Sequence, residues 1–205
     1  MTALYLYPIW LRLWHWVNAL LFLTLIVTGV SMHYSLHWLV SFDTAVPVHN
    51  TCGVLLTFSW LAFVAGNIWG GNGKHYLINI RTLPQALIAQ TRYYLHGIFV
   101  AAPHPFHVSA EHKLNALQSL SYIGVMFGLM PILILSGWSF LFSTALPETL
   151  FGVGTVWIIA MVHLATSWML ALFLIVHVYI ITTGETPTTN LKAMITGWHK
   201  ERSSG

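Results

Sequence analysis

Twelve histidines stand in a chain that holds only eight lysines and arginines and five acidic residues. Two of them, His163 and His177, close the ends of the apolar run HLATSWMLALFLIVH. An imidazole in an apolar setting can ligate a metal, relay a proton or hydrogen-bond across helices. The fourteen-residue spacing of this pair, at about 100° per residue, returns to within roughly 40° of the starting direction over about 21 Å of helix rise. Both rings therefore share one helix face, one near each end. His15 in RLWHW and His49 in VPVHNTCG lie at the edges of other apolar runs. What such rings can do depends on the elements that carry them and on which ring faces which.

The chain is 57% hydrophobic and 6% charged, far from the roughly one-quarter charged residues of a soluble domain. This composition predicts an all-α integral membrane protein. Between Arg12 and Lys74 the only charged residue is Asp43, and between Lys113 and Glu185 it is Glu148. Each apolar block is too long for one crossing of about 20 residues and suits two. Asp43 and Pro47 break the first block; Pro147, Glu148, Gly152 and Gly154 break the second. Four spans follow, near 10–32, 47–70, 114–142 and 153–182, forming a transmembrane four-helix bundle in a single domain over 1–205. Between the second and third spans, LPQALIAQTRYYLHGIF places Pro84 at a helix start and mixes apolar residues with Arg92, which predicts a helix lying at the membrane interface.

All eight basic residues fall in the N-terminus, the second loop or the C-terminus. The positive-inside rule then puts both termini in the cytoplasm of a multi-pass inner-membrane protein. The +3 charge reflects that topology and implies no nucleic-acid partner; the partner that surrounds the chain is lipid. The opening MTALYLYPIWLRLWHW lacks a basic leader and a small-residue cleavage site, so the first span is expected to be retained. The single cysteine, Cys52, excludes an internal disulfide and a cysteine-ligated cluster within the chain.

This topology sorts the histidines by depth. His15 and His177 lie near the cytoplasmic ends of spans one and four, while His49 and His163 lie in the outer half of spans two and four. Two imidazoles facing each other across a helix bundle are the axial ligand set of a b-type haem, which needs no cysteine. Gly29, Gly53, Gly137 and Ala160 would let a macrocycle approach the helix backbones. Arg12, one turn from His15, suits a haem propionate, because guanidinium pairs with carboxylate at the membrane edge. Alternatively it serves only as a topology determinant.

Taken together and in order, RLWHW, HNTCG, RYYL followed by HKLNALQSLSY, LSGW, and the two histidines fourteen residues apart resemble a known family. It comprises the membrane cytochrome b subunits of bacterial respiratory enzymes, as found with nickel-iron hydrogenases, formate dehydrogenases and thiosulfate reductases. The resemblance implies two haems b, His15 and His177 on the inner and His49 and His163 on the outer, in agreement with the depth pairing. It also implies a quinone, menaquinone or ubiquinone, handled near the inner haem. Asn115 and Gln118 match that region, where their amides would hydrogen-bond a quinone carbonyl or else simply cap a helix. His112 is a further proton-transfer candidate there.

The implied role is electron transfer between the quinone pool and a periplasmic redox subunit: a hydrogenase, a molybdenum enzyme or a multihaem cytochrome. The chain would be the electron-transfer subunit of an oxidoreductase, with outer loops too short to hold a substrate site. Two alternatives stand beside it: a haem-free anchor or proton- or ion-conducting bundle, and a stand-alone quinol-oxidising cytochrome b. His104 and His107 lie in a Pro-bearing loop without a ligand frame, and Trp10, Trp14, Trp16, Trp38 and Trp69 are expected to form interfacial belts.

Overall fold

Long apolar runs without interior breakers become helices, because in lipid every backbone polar group must be satisfied within its own segment. The computed structural model describes residues 2–70, 73, 81–100, 102, 105–106, 114–184 and 186–201. Among them are four helical stretches long and apolar enough to cross a membrane. These are α1 (Ile9–His33), α2 (Phe42–Trp69), the stretch Ala116–Leu141, and α6 (Thr155–Ile181). The helix expected after Pro84 also forms, as α3 (Leu83–Leu95).

Two boundaries differ from the sequence reading for identifiable reasons. Helix α2 starts at Phe42 rather than at 47 and runs through Pro47. Pro47 removes one i→i−4 hydrogen bond, while the Ser41 carbonyl accepts the amides of Thr44 and Ala45, and Asp43 complements the positive end of the helix dipole. The third span is not one regular helix: α4 (Ala116–Ile123) passes through a π-helical segment, Gly124–Leu129, into α5 (Met130–Leu141). Pro131 lies at the start of α5. Its ring would crowd the carbonyl four residues back, and the wider π turn accommodates it.

The chain divides into two compact units. The first comprises Met1–Arg12, Gly66–Phe127 and Phe173–Gly205, and the second Leu13–Ala65 and Gly128–Leu172. In the first, β1 (Thr2–Tyr5) pairs antiparallel with β4 (Trp198–Glu201), with Tyr5 opposite Trp198 and their rings 5.2 Å apart. Helix α7 (Thr189–Thr196) precedes β4 and ends at Gly197, whose φ is +88°. The Gly197 carbonyl accepts the amides of Leu6 and Tyr7, at 2.9 and 3.3 Å, and so ties the two termini together. A Cβ there would stand 2.6 Å from Tyr5 Cε2 and 2.9 Å from the Tyr7 carbonyl oxygen. Gly197→Ala is therefore expected to destabilise the fold by at least about 1–2 kcal/mol from the left-handed backbone alone, seen as a fall of roughly 2–8 °C in thermal midpoint in detergent.

The second unit exposes apolar side chains and buries hydroxyls beside apolar residues such as Leu56 and Phe63. Leu20, Leu61 and Leu135 are exposed, whereas Thr28, Ser31, Ser136, Thr155 and Thr166 are buried. Helices in lipid gain nothing from burying more hydrocarbon, so packing and interhelical hydrogen bonds hold them together. Trp14 Nε1 donates to the Ser59 carbonyl at 2.9 Å and its ring stacks on Phe63; Trp138 Nε1 donates to Thr57 Oγ1 at 3.0 Å. Trp14 thus ties α1 to α2, while Trp38 and Trp69 are exposed. Ser31 Oγ donates to the Val40 carbonyl at 2.6 Å, with the Leu36 carbonyl at 3.0 Å, and fastens the turn between α1 and α2. A two-residue hairpin, β2 (Thr149–Leu150) and β3 (Val153–Gly154), leads into α6.

Candidate functional site

His49 lies on α2 and His163 on α6, and in the second unit their ring centroids are 6.4 Å apart. Each ring is held at Nδ1 by a hydroxyl from the helix preceding its own. Thr28 Oγ1, on α1, is 2.9 Å from His49 Nδ1; Ser136 Oγ, on α5, is 2.9 Å from His163 Nδ1. Each hydroxyl is followed by a glycine against the same ring. A Cβ on Gly29 would stand 3.3 Å from His49 Cε1, and one on Gly137 would stand 3.5 Å from His163 Cε1. Hydroxyl and glycine together set the ring's position: one holds its Nδ1 edge and the other leaves space for its Cε1 corner.

This donor set suits a haem b. A metal between two facing imidazoles, at the roughly 2.0–2.1 Å of metal–histidine bonds, sets ring centroids roughly 6–6.5 Å apart. With Nδ1 occupied by a hydroxyl, Nε2 is the nitrogen left on each ring for a metal. A Cβ on Gly53, one turn along α2 from His49, would meet nothing within 4 Å, so the backbone beside this histidine is open. Phe140 lies edge-on to His163 at 5.7 Å.

The other candidates are placed differently. His15 on α1 belongs to the second unit and His177 on α6 to the first, where its ring stacks on Phe173 at 5.9 Å. Arg12 donates through Nη1 to the Ile195 carbonyl, and its Nε is buried with no hydrogen-bond acceptor among the described residues. A buried, unsatisfied guanidinium N–H fits an anionic group such as a propionate.

Asn115 and Gln118 form a capping box at the start of α4. Asn115 Oδ1 accepts the Gln118 amide at 2.9 Å, and Gln118 Oε1 accepts the Asn115 amide at 3.0 Å. Asn115 Nδ2 then donates to Tyr94 Oη on α3 at 3.2 Å. Burial pushes the Tyr94 phenol up, against the opposing effect of that hydrogen bond. Both amide oxygens thus serve the helix end, and the amide group the box leaves unused is the Gln118 NH2. His112 lies outside the described residues, as do His75, His104 and His107.

A sequence profile of the family described as prokaryotic cytochrome b561 matches residues 6–197. The chain belongs to that family. It is also 39% identical over 197 residues to an Escherichia coli (strain K12) protein named "Putative cytochrome YdhU", covering 96% of this chain and 75% of that one. No solved structure matches it. As a member of the cytochrome b561 family with four apolar span-length helices, it is a multi-pass membrane protein of the haem b electron-transfer class, surrounded by lipid. Thr28 and Ser136, the residues that hold the two imidazoles of this cytochrome, were not among the sequence candidates. Their only signal was a hydroxyl residue directly before a glycine, TG in the first span and SG in the third.

Proposed function

We propose that this cytochrome is a di-haem b subunit that passes electrons between the quinone pool and a periplasm-facing redox subunit of a respiratory complex. The observation that carries the proposal is the His49–His163 pair, 6.4 Å between centroids with both Nδ1 atoms already held by hydroxyls. Haem b, when bound, supplies reversible one-electron chemistry. A second haem rests on the sequence: His15 and His177 share the cytoplasmic depth of their spans, and His177 lies about 21 Å of helix rise from His163. Arg12, one helical turn from His15 and with a buried donor to spare, is the residue we assign to a propionate.

The quinone, menaquinone or ubiquinone, is placed in this proposal near the start of α4. There the Gln118 NH2 is available to a quinone carbonyl, Asn115 and Tyr94 brace the helix end, and His112 is the candidate for proton exchange. Both termini face the cytoplasm by the distribution of basic residues, and residues 1–205 act as one cytochrome domain. The partner on the outer side is a hydrogenase, molybdenum or multihaem cytochrome subunit, since the outer loops of this chain are too short to form a substrate site of their own.

The test uses the chain purified in mild detergent with its haem in place. Two haems b per chain, reduced by a menaquinol or ubiquinol analogue and reoxidised by the quinone, are the expected result. One haem per chain overturns the di-haem reading. Haem-replete protein that exchanges no electrons with either analogue overturns the quinone role.

A further inference from the structure

The hydroxyls of Thr28 and Ser136 each carry one hydrogen, and both hydrogens are already committed. Thr28 Oγ1 donates to the Thr24 carbonyl at 2.7 Å, with the Leu25 carbonyl at 3.3 Å; Ser136 Oγ donates to the Leu133 carbonyl at 2.9 Å. Such bonds to the preceding turn are usual for hydroxyl residues inside helices. A hydroxyl whose hydrogen is spent can only accept in its next hydrogen bond. His49 and His163 must therefore donate from Nδ1–H at the two 2.9 Å contacts. Both rings are thereby locked as Nδ1–H tautomers, with the lone pair on Nε2.

The two halves of this arrangement are equivalent. In each, the first helix of a pair supplies a hydroxyl to Nδ1 and the next residue, a glycine, to Cε1 of a histidine on the second helix. Both hydroxyls are also buried, Thr28 3% and Ser136 7% exposed, so water does not substitute for them. An acceptor on the far nitrogen of a ligating imidazole fixes its tautomer and raises its basicity. A more basic axial ligand favours the oxidised, more positive metal.

We propose that Thr28 and Ser136 are paired positioning residues that preset His49 and His163 in the metal-binding tautomer and lower the midpoint potential of the haem they hold. This rests on the reading of His49 and His163 as its ligands. Each hydroxyl acts on a different ring, but both rings serve the same haem, so the double variant measures how far the two effects couple.

The test is a redox titration of the haem-loaded protein, following the spectrum of each haem, for Thr28→Val, Ser136→Ala and the double variant. Each single change is expected to favour reduction about threefold to tenfold, up to about 59 mV upward for a one-electron couple, and the double variant to favour it more than either single change. Thr28→Ser and Ser136→Thr keep the hydroxyl and are expected to hold the parental potential. Unchanged potentials in both single variants, at parental haem content, overturn the proposal. Should Thr28→Val lose its haem, Thr28→Ser decides: retention at the parental potential supports the hydroxyl's role, and equal loss shows that shape alone matters and overturns it. His49→Ala, measured alongside, separates the two layers, because full retention of both haem spectra there removes the ligand reading itself.

Discussion

His49→Ala is expected to remove one haem b per chain and leave the other in place. The ring of His49 is one side of a pair with His163, and a bis-imidazole site that loses one ligand also loses the geometry that made it tight. His163→Ala is expected to remove the same haem. The double variant should then lose no more than either single one, since residues that act as one unit are strongly non-additive. His15→Ala and His177→Ala should remove the other haem and leave the first. Haem content per chain and the reduced-minus-oxidised spectrum of detergent-purified protein measure all of these. Loss of both haems in His49→Ala with the fold intact would show that the sites assemble together; additive losses for His49 and His163 would break the pairing. Thr28 and Ser136 remain in His49→Ala and His163→Ala, so their hydroxyls alone are not expected to retain the haem.

Much of the fold was legible because the features that set it are local. Asp43, Glu148 and the clusters of basic residues mark where the chain leaves the membrane, and apolar length does the rest. What stayed hidden depends on partners distant in sequence. The strand pairing of Thr2–Tyr5 with Trp198–Glu201 joins two four-residue segments at opposite ends of the chain, and neither has a pattern of its own. Helices that are apolar all round also carry little directional signal, so Trp14 read as a surface aromatic although it bonds to Ser59. Pro131 was visible, but the π turn that accommodates it follows from where the helix must keep running.

The candidate site was legible to a similar depth. Spacing alone put His163 and His177 on one face, and depth alone paired His49 with His163; the structure brings that pair together in one unit. The hydroxyls were not legible, because TG and SG in a membrane helix read first as small residues that permit close packing. Only the three-dimensional arrangement shows that the hydroxyl and the glycine act on the same ring. For Asn115 and Gln118 the N-x-x-Q spacing resembles a capping box, and the structure makes that use of them. Capping leaves the Gln118 NH2, which the box does not employ, for a ligand.

Gly29→Val and Gly137→Val are expected to weaken binding of the haem held by His49 and His163 by about 10–100-fold, the range seen when outer-shell partners of a metal ligand are altered. Substitution of a mid-helix glycine by alanine ordinarily stabilises a helix by roughly 0.5–1 kcal/mol, so the loss must come from the ring. A Cβ at Gly29 is already 3.3 Å from His49 Cε1, and the γ methyls of valine reach further still. The ring cannot retreat freely, because its Nδ1 is bound to Thr28. Any rotation that relieves the crowding stretches that bond and moves Nε2 from its place. Gly128→Ala is the control, since a Cβ there meets nothing within 4 Å and haem content should stay at the parental value. Gly53→Ala distinguishes protein from macrocycle: beyond its own stretch of helix a Cβ there meets nothing within 4 Å among the described residues, so haem loss there reports the haem's own edge against α2. Haem retained at full affinity in both Gly29→Val and Gly137→Val would mean that the two rings have room to move, and the glycines would then be no part of the site.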